Sequence, residues 1–137
     1  MKIYDLYCRF AVIAIAPIAN LAARIFVGLI FFRSGMLKLE DFDETIENFV
    51  DVYPVPFLSA ETAAYMATAG ELILPVLLFI GLFTRIGAAG LMVMALVIEI
   101  WVFPGMVEHY YWMLILCMLI GYGGDKISLD YLGFKRK

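Results

Sequence analysis

The stretch Arg24–Lys38, RIFVGLIFFRSGMLK, sets three cations and two glycines in a run that is otherwise hydrocarbon. A charge inside a membrane span is costly unless it snorkels to the surface or finds a counterion. Arg24, Arg33 and Lys38 therefore mark either an internal ion-pair lock or a functional pathway. At about 100° per residue, Arg24, Gly28, Phe31, Gly35 and Lys38 fall on one helical face. Small residues let a neighbouring helix come close where lipid is as apolar as leucine, so this face is expected to point into a bundle. Arg33 lies about half a turn round from Arg24, placed to snorkel or to meet a partner protein.

Outward from this stretch the chain stays apolar. Hydrophobic residues make up 64% of it and the mean hydropathy is +0.92, against roughly 45–50% apolar residues in soluble domains. The reading is an all-α membrane protein, one domain over residues 1–137, built as a bundle of four transmembrane helices. The spans are expected at about 20–39, 60–81, 84–103 and 109–123. The opening MKIYDLYCRFAVIAIAPIAN lacks a small-residue cleavage site and runs straight into the next apolar segment, so it is read as retained. Residues 3–16 then form an N-terminal interfacial helix or a kinked extension, with Pro17 in the first turn of span one. Phe42, Ile46, Phe49 and Val50 recur at helical spacing among acids, which predicts a short amphipathic helix between spans one and two. Tyr53-Pro54-Val55-Pro56 ends it.

Charge distribution orients the bundle. Lys2, Arg9, Arg85, Lys126, Lys135, Arg136 and Lys137 share one side, and the positive-inside bias puts both termini in the cytoplasm, with the protein in the inner membrane. The acidic 40–51 loop and the 104–109 turn occupy the outer side, where Trp101, Tyr110, Tyr111 and Trp112 form an aromatic belt. No basic stripe exists to neutralise phosphates, which excludes nucleic acid. Cys8 and Cys117 form no CxxC pair.

Glu71, near the middle of span two, needs a counterion. The helical rise places it roughly 16 Å below the outer boundary, between Arg33 at about 9 Å and Arg24 at about 22 Å. Arg24 is the expected partner, because it shares the glycine face and its guanidinium can satisfy both carboxylate oxygens. Lys38, Glu99 and His109 form a shallow polar vestibule on the outer half. The plain alternative is that these charges only pin the helices in register. His109, Met113 and Cys117 follow i, i+4, i+8 and offer ligands suited to Cu(I), although methionine in apolar chains more often fills gaps.

These residues resemble the DoxX family of small four-helix membrane proteins, related to DoxD subunits, over roughly residues 20–132. The resemblance rests on four pieces: Arg24, Gly28, Gly35 and Lys38 in span one; the Tyr53-Pro54-Val55-Pro56 loop; Glu71, Gly81, Leu82, Thr84 and Arg85; and the ending Gly121, Gly123, Ser128, Leu129 and Asp130. Relatives are associated with quinone-linked oxidation of reduced sulfur, with complexes that answer oxidative stress, and with metal stress. The resemblance therefore implies an accessory subunit of a membrane oxidoreductase or stress-response system rather than a complete enzyme. Its polar centre would be Arg24, Lys38 and Glu71, and its quinone slot would be lined by Arg24, Lys38, Tyr65, Trp101 and Trp112. Gly28, Gly35, Arg85 and Asp130 take structural roles. With one histidine and no cysteine pair, electrons would have to come from a partner protein in the membrane or the periplasm. Two other readings stand beside this one. The first is copper or cation handling through Glu71, Glu99, His109, Met113 and Cys117. The second is a scaffold that docks a partner or a second copy of itself.

Overall fold

The computed structural model describes residues 2–52 and 55–134. Tyr53 and Pro54 of the expected loop, and Lys135, Arg136 and Lys137 of the basic ending, lie outside them. Among the described residues there are helices and no strand. Helix α1 runs Lys2–Glu40, α2 Phe42–Asp51, α3 Ala60–Ile80, α4 Thr84–Val102, α5 Val107–Tyr122 and α6 Leu129–Phe134. Helices α1, α3, α4 and α5 pack as a four-helix bundle, each against its neighbours. Val27, Phe31, Leu78, Leu91, Leu116 and Leu119 fill its core.

Among the described residues three helices, α1, α3 and α4, are long and apolar enough to cross a membrane. The expected fourth span, α5, has 16 residues. That is about 24 Å of helix, short of the roughly 30 Å hydrocarbon core. Of the two expectations for residues 3–16, a separate interfacial helix or an extension of span one, the structure shows the extension, because residues 2–40 form one continuous helix. Pro17 cannot donate to the Ile13 carbonyl and its ring crowds that group. The chain accommodates it with a π-helical turn at Ala11–Ile15, which widens the helix instead of breaking it.

The corner after α1 is made by side chains. Asp41 is extended and its carboxylate accepts from Glu44 N at 3.0 Å, capping α2. Thr45 Oγ1 donates back to Lys38 O at 3.0 Å, satisfying a carbonyl at the end of α1. The amphipathic α2 is thereby folded onto α3, burying Thr45 and packing Phe49 against Ala63 and Ala64. Val50, expected on its apolar face, is 60% exposed instead.

The opposite end is tied by the C-terminal tail. Gly81 adopts a left-handed φ of 67° and closes α3, with Leu82 N donating to Leu77 O at 3.0 Å. Asp130 then caps α4 from the tail, accepting from Phe83 N at 2.7 Å and Thr84 N at 2.9 Å, while its own N–H donates to Gly81 O at 2.8 Å. Asp130→Ala is expected to lower stability by about 1–2 kcal/mol, as loss of a helix cap does. Thermal unfolding in detergent measures it, and an unchanged Tm would refute this role.

Candidate functional site

Helices α1 and α3 approach closely because of the two glycines on the inward face of α1. A Cβ on Gly35 would lie 3.0 Å from Glu71 Cβ and from Leu72 Cγ, and one on Gly28 would lie 2.6 Å from Phe79 Cε1. These contacts set an antiparallel register in which Lys38 stands level with the Glu71 turn. Carried the other way, the same register puts Arg24 level with Gly81.

The expected Arg24–Glu71 pair is therefore corrected. Glu71, 3% exposed, is held by Lys38, whose Nζ lies 3.0 Å from Oε1 and 2.8 Å from Oε2. Ser34, one turn before Lys38, accepts from the same ammonium at 2.8 Å. Arg24 is fully buried at the tail end, where its guanidinium donates to Leu78 O at 3.1 Å and to Ile127 O. The acids whose charge acts on it are Asp130 and Asp125. Arg24 thus belongs to the knot that binds the tail, and the polar centre consists of Lys38, Glu71 and Ser34. Pro75 lies four residues after Glu71 inside α3, so no N–H reaches the Glu71 carbonyl from the next turn.

A second polar group stands across the bundle. The last turn of α4, Ile98–Val102, is π-helical and ends just before Pro104, which has no N–H to continue the ladder. Glu99 in this turn accepts from Gly105 N at 2.8 Å and from Tyr110 Oη at 2.8 Å. Its Oε2 lies 2.7 Å from His109 Nδ1. The His109 ring in turn sits 4.9 Å from the Trp112 ring, and Trp112 meets Phe31 edge-on at 5.7 Å.

Between the two groups lies a cavity of about 400 Å³, lined by Lys38, Glu71, His109, Trp112 and Phe31 among mostly aliphatic side chains. Of the expected vestibule of Lys38, Glu99 and His109, Lys38 and His109 line this cavity together with Glu71, and Glu99 does not line it but is bonded to His109. Of the expected quinone-slot residues, Lys38 and Trp112 line it. Arg24, Tyr65 and Trp101 do not: Tyr65 is exposed and stacks at 4.6 Å on Phe42, and Trp101 is exposed. The residues His109, Met113 and Cys117 are not gathered into one site. His109 is buried and bonded to Glu99, Met113 packs against the core, and Cys117 is exposed. Eight residues along an α-helix rotate about 80° off a straight stripe, which carries Cys117 away from the face of His109. Among the described residues no group of three or more His, Cys, Asp or Glu side chains is placed to hold a metal.

Several functional residues escaped sequence reasoning. Ser34 had a signal, its i, i+4 spacing to Lys38. Asn20, which donates to Gly123 O at 2.9 Å, had none, because its partner lies at the far end of the chain. Gly28 and Gly35 lie where α1 and α3 approach closely, and Asp130 caps α4. Arg85 is exposed, beside Gly123.

Comparison with known proteins agrees with this architecture. No curated protein and no solved structure matches the chain. The family model described as DoxX matches residues 19–104, more than half of the sequence, including Arg24, Gly35, Lys38, Glu71 and Glu99. With its helices packed through the glycine face, the chain belongs to the DoxX family of membrane proteins.

Proposed function

We propose that the protein is an integral-membrane accessory subunit of a redox or stress-response system, and that its cavity at the acidic end binds the headgroup of a quinone-type lipid. The observation carrying this reading is an apolar, aromatic-walled cavity with hydrogen-bonding groups on two walls, Lys38 with Glu71 on one and His109 on the other. A quinone head is a flat apolar ring with a carbonyl acceptor at each end, and such a ligand suits a slot that is mostly hydrocarbon with a few placed polar groups. Lys38 polarises one carbonyl, Glu71 takes up or releases the proton beside it, and His109 addresses the other end. The partner protein supplies the electrons. The chain crosses the inner membrane four times, with α5 as the short fourth crossing, both termini in the cytoplasm and the cavity opening in the outer half. The clustering of acids at 40–51 against the cations of the other end supports this orientation.

Titration of the purified protein with a short-chain quinone analogue tests the site through quenching of Trp112 fluorescence. Saturable quenching is expected in the wild type. Trp112→Phe should abolish it despite the remaining Trp101. Glu71→Gln, which keeps a polar partner for Lys38, should stay folded and lose quinone binding. Binding unchanged in folded Glu71→Gln would count decisively against the reading.

A further inference from the structure

The tail end of the bundle carries a larger cleft, of about 790 Å³, that the proposed quinone site does not use. It opens between α1, the start of α4, the end of α5 and the tail. Asn20 and Thr84 line it, both more than nine-tenths buried. Among the described residues, neither Asn20 Oδ1 nor Thr84 Oγ1 has a hydrogen-bond partner. Both atoms lie beneath the cleft's surface, so the charges that do reach it select its occupant. Arg85 and Asp125 line the same cleft and bring opposite charges to it.

Depth identifies the occupant. Helix α1 ends at Glu40, and about 30 Å of helix, one hydrocarbon thickness, separates that end from Asn20. The cleft therefore stands at headgroup level of the opposite leaflet, with Ala16, Ala19 and Met118 continuing its wall in apolar side chains. A purely anionic headgroup would meet Arg85 but also Asp125. Asp130, the remaining acid of the lining, is already engaged by the backbone of α4. Opposite charges at this depth match a headgroup that carries both a phosphate and a hydrogen-bonding ammonium.

We propose that this cleft binds one phospholipid with a primary-ammonium zwitterionic headgroup, its phosphate on Arg85 and its ammonium on Asp125. The acyl chain leaves along the apolar wall formed by α1 and α5.

Native mass spectrometry of the full chain in mild detergent, titrated with dioleoyl phosphatidylethanolamine, tests the proposal, with Tm followed in parallel. One lipid should be retained and Tm should rise. Dioleoyl phosphatidylcholine, which has no ammonium N–H, and dioleoyl phosphatidylglycerol, which has no cation, should each be retained about tenfold less, the loss expected for one charged hydrogen bond. Arg85→Gln should weaken phosphatidylethanolamine retention by a similar factor. Ala19→Trp, which narrows the cleft from an exposed position and keeps every charge, should weaken it as well. Equal retention of the three lipids, preference for phosphatidylglycerol, or full retention by either folded variant overturns the proposal. Equally tight binding of chain-free phosphoethanolamine overturns it in favour of a soluble ligand.

Discussion

Arg24→Leu is expected to lower stability by about 3 kcal/mol, because it strips one buried and one part-buried carbonyl of a charged donor. The guanidinium joins Leu78 O at the end of α3 to Ile127 O in the tail, so its loss releases the tail from the bundle. Asp130 would then lose the placement that lets it cap α4, and limited proteolysis should cut near residues 124–128 well before the wild type is cut. Arg24→Lys should recover little, since an ammonium on a flexible stem lacks the planar fork that reaches both carbonyls. The double change Arg24→Leu with Glu71→Leu should be no more stable than Arg24→Leu alone, because Arg24 does not neutralise Glu71. Recovery in that double variant would show that the two residues pair after all, and the register drawn from Gly28 and Gly35 would be wrong.

Lys38→Met should behave in the opposite way. Alone it leaves the Glu71 carboxylate buried without its cation, which is expected to destabilise the bundle by about 3 kcal/mol at neutral pH. Adding Glu71→Leu should restore most of that loss, since a buried pair replaced by well-packed apolar groups is often neutral or stabilising. The restored double variant separates stability from function: it should fold with wild-type Tm and bind no quinone analogue. Equilibrium unfolding of the two single variants and the double one gives the coupling energy. A coupling near zero would mean that the 2.8 Å contact contributes nothing to the fold.

The two cations of the inward α1 face thus have different duties despite sharing one stripe. Arg24 is structural and fully enclosed. Lys38 is partly open to the cavity, with 19% of its side chain exposed, and it is the member of the pair that a ligand can reach. Arg24, Gly81, Ser128 and Asp130 act mainly to bind the tail to the α3–α4 turn. Lys38 and Glu71 form the cavity wall.

Composition and periodicity alone determined that this chain is a bundle of apolar helices, which face of α1 turns inward, where Arg33 stays outside, and that a short amphipathic helix follows. These follow from local quantities, the rotation per residue and the sign of each transfer energy, which neighbours in sequence carry by themselves. Only the tertiary structure decided which acid meets which cation, that α1 runs unbroken through Pro17, and that Tyr65, Trp101, Met113 and Cys117 stand away from the cavity. Pairing depends on the register between helices far apart in sequence. That register is set by how closely glycines let two backbones approach and by a tail folding back onto a turn, contacts to which a helical repeat is blind.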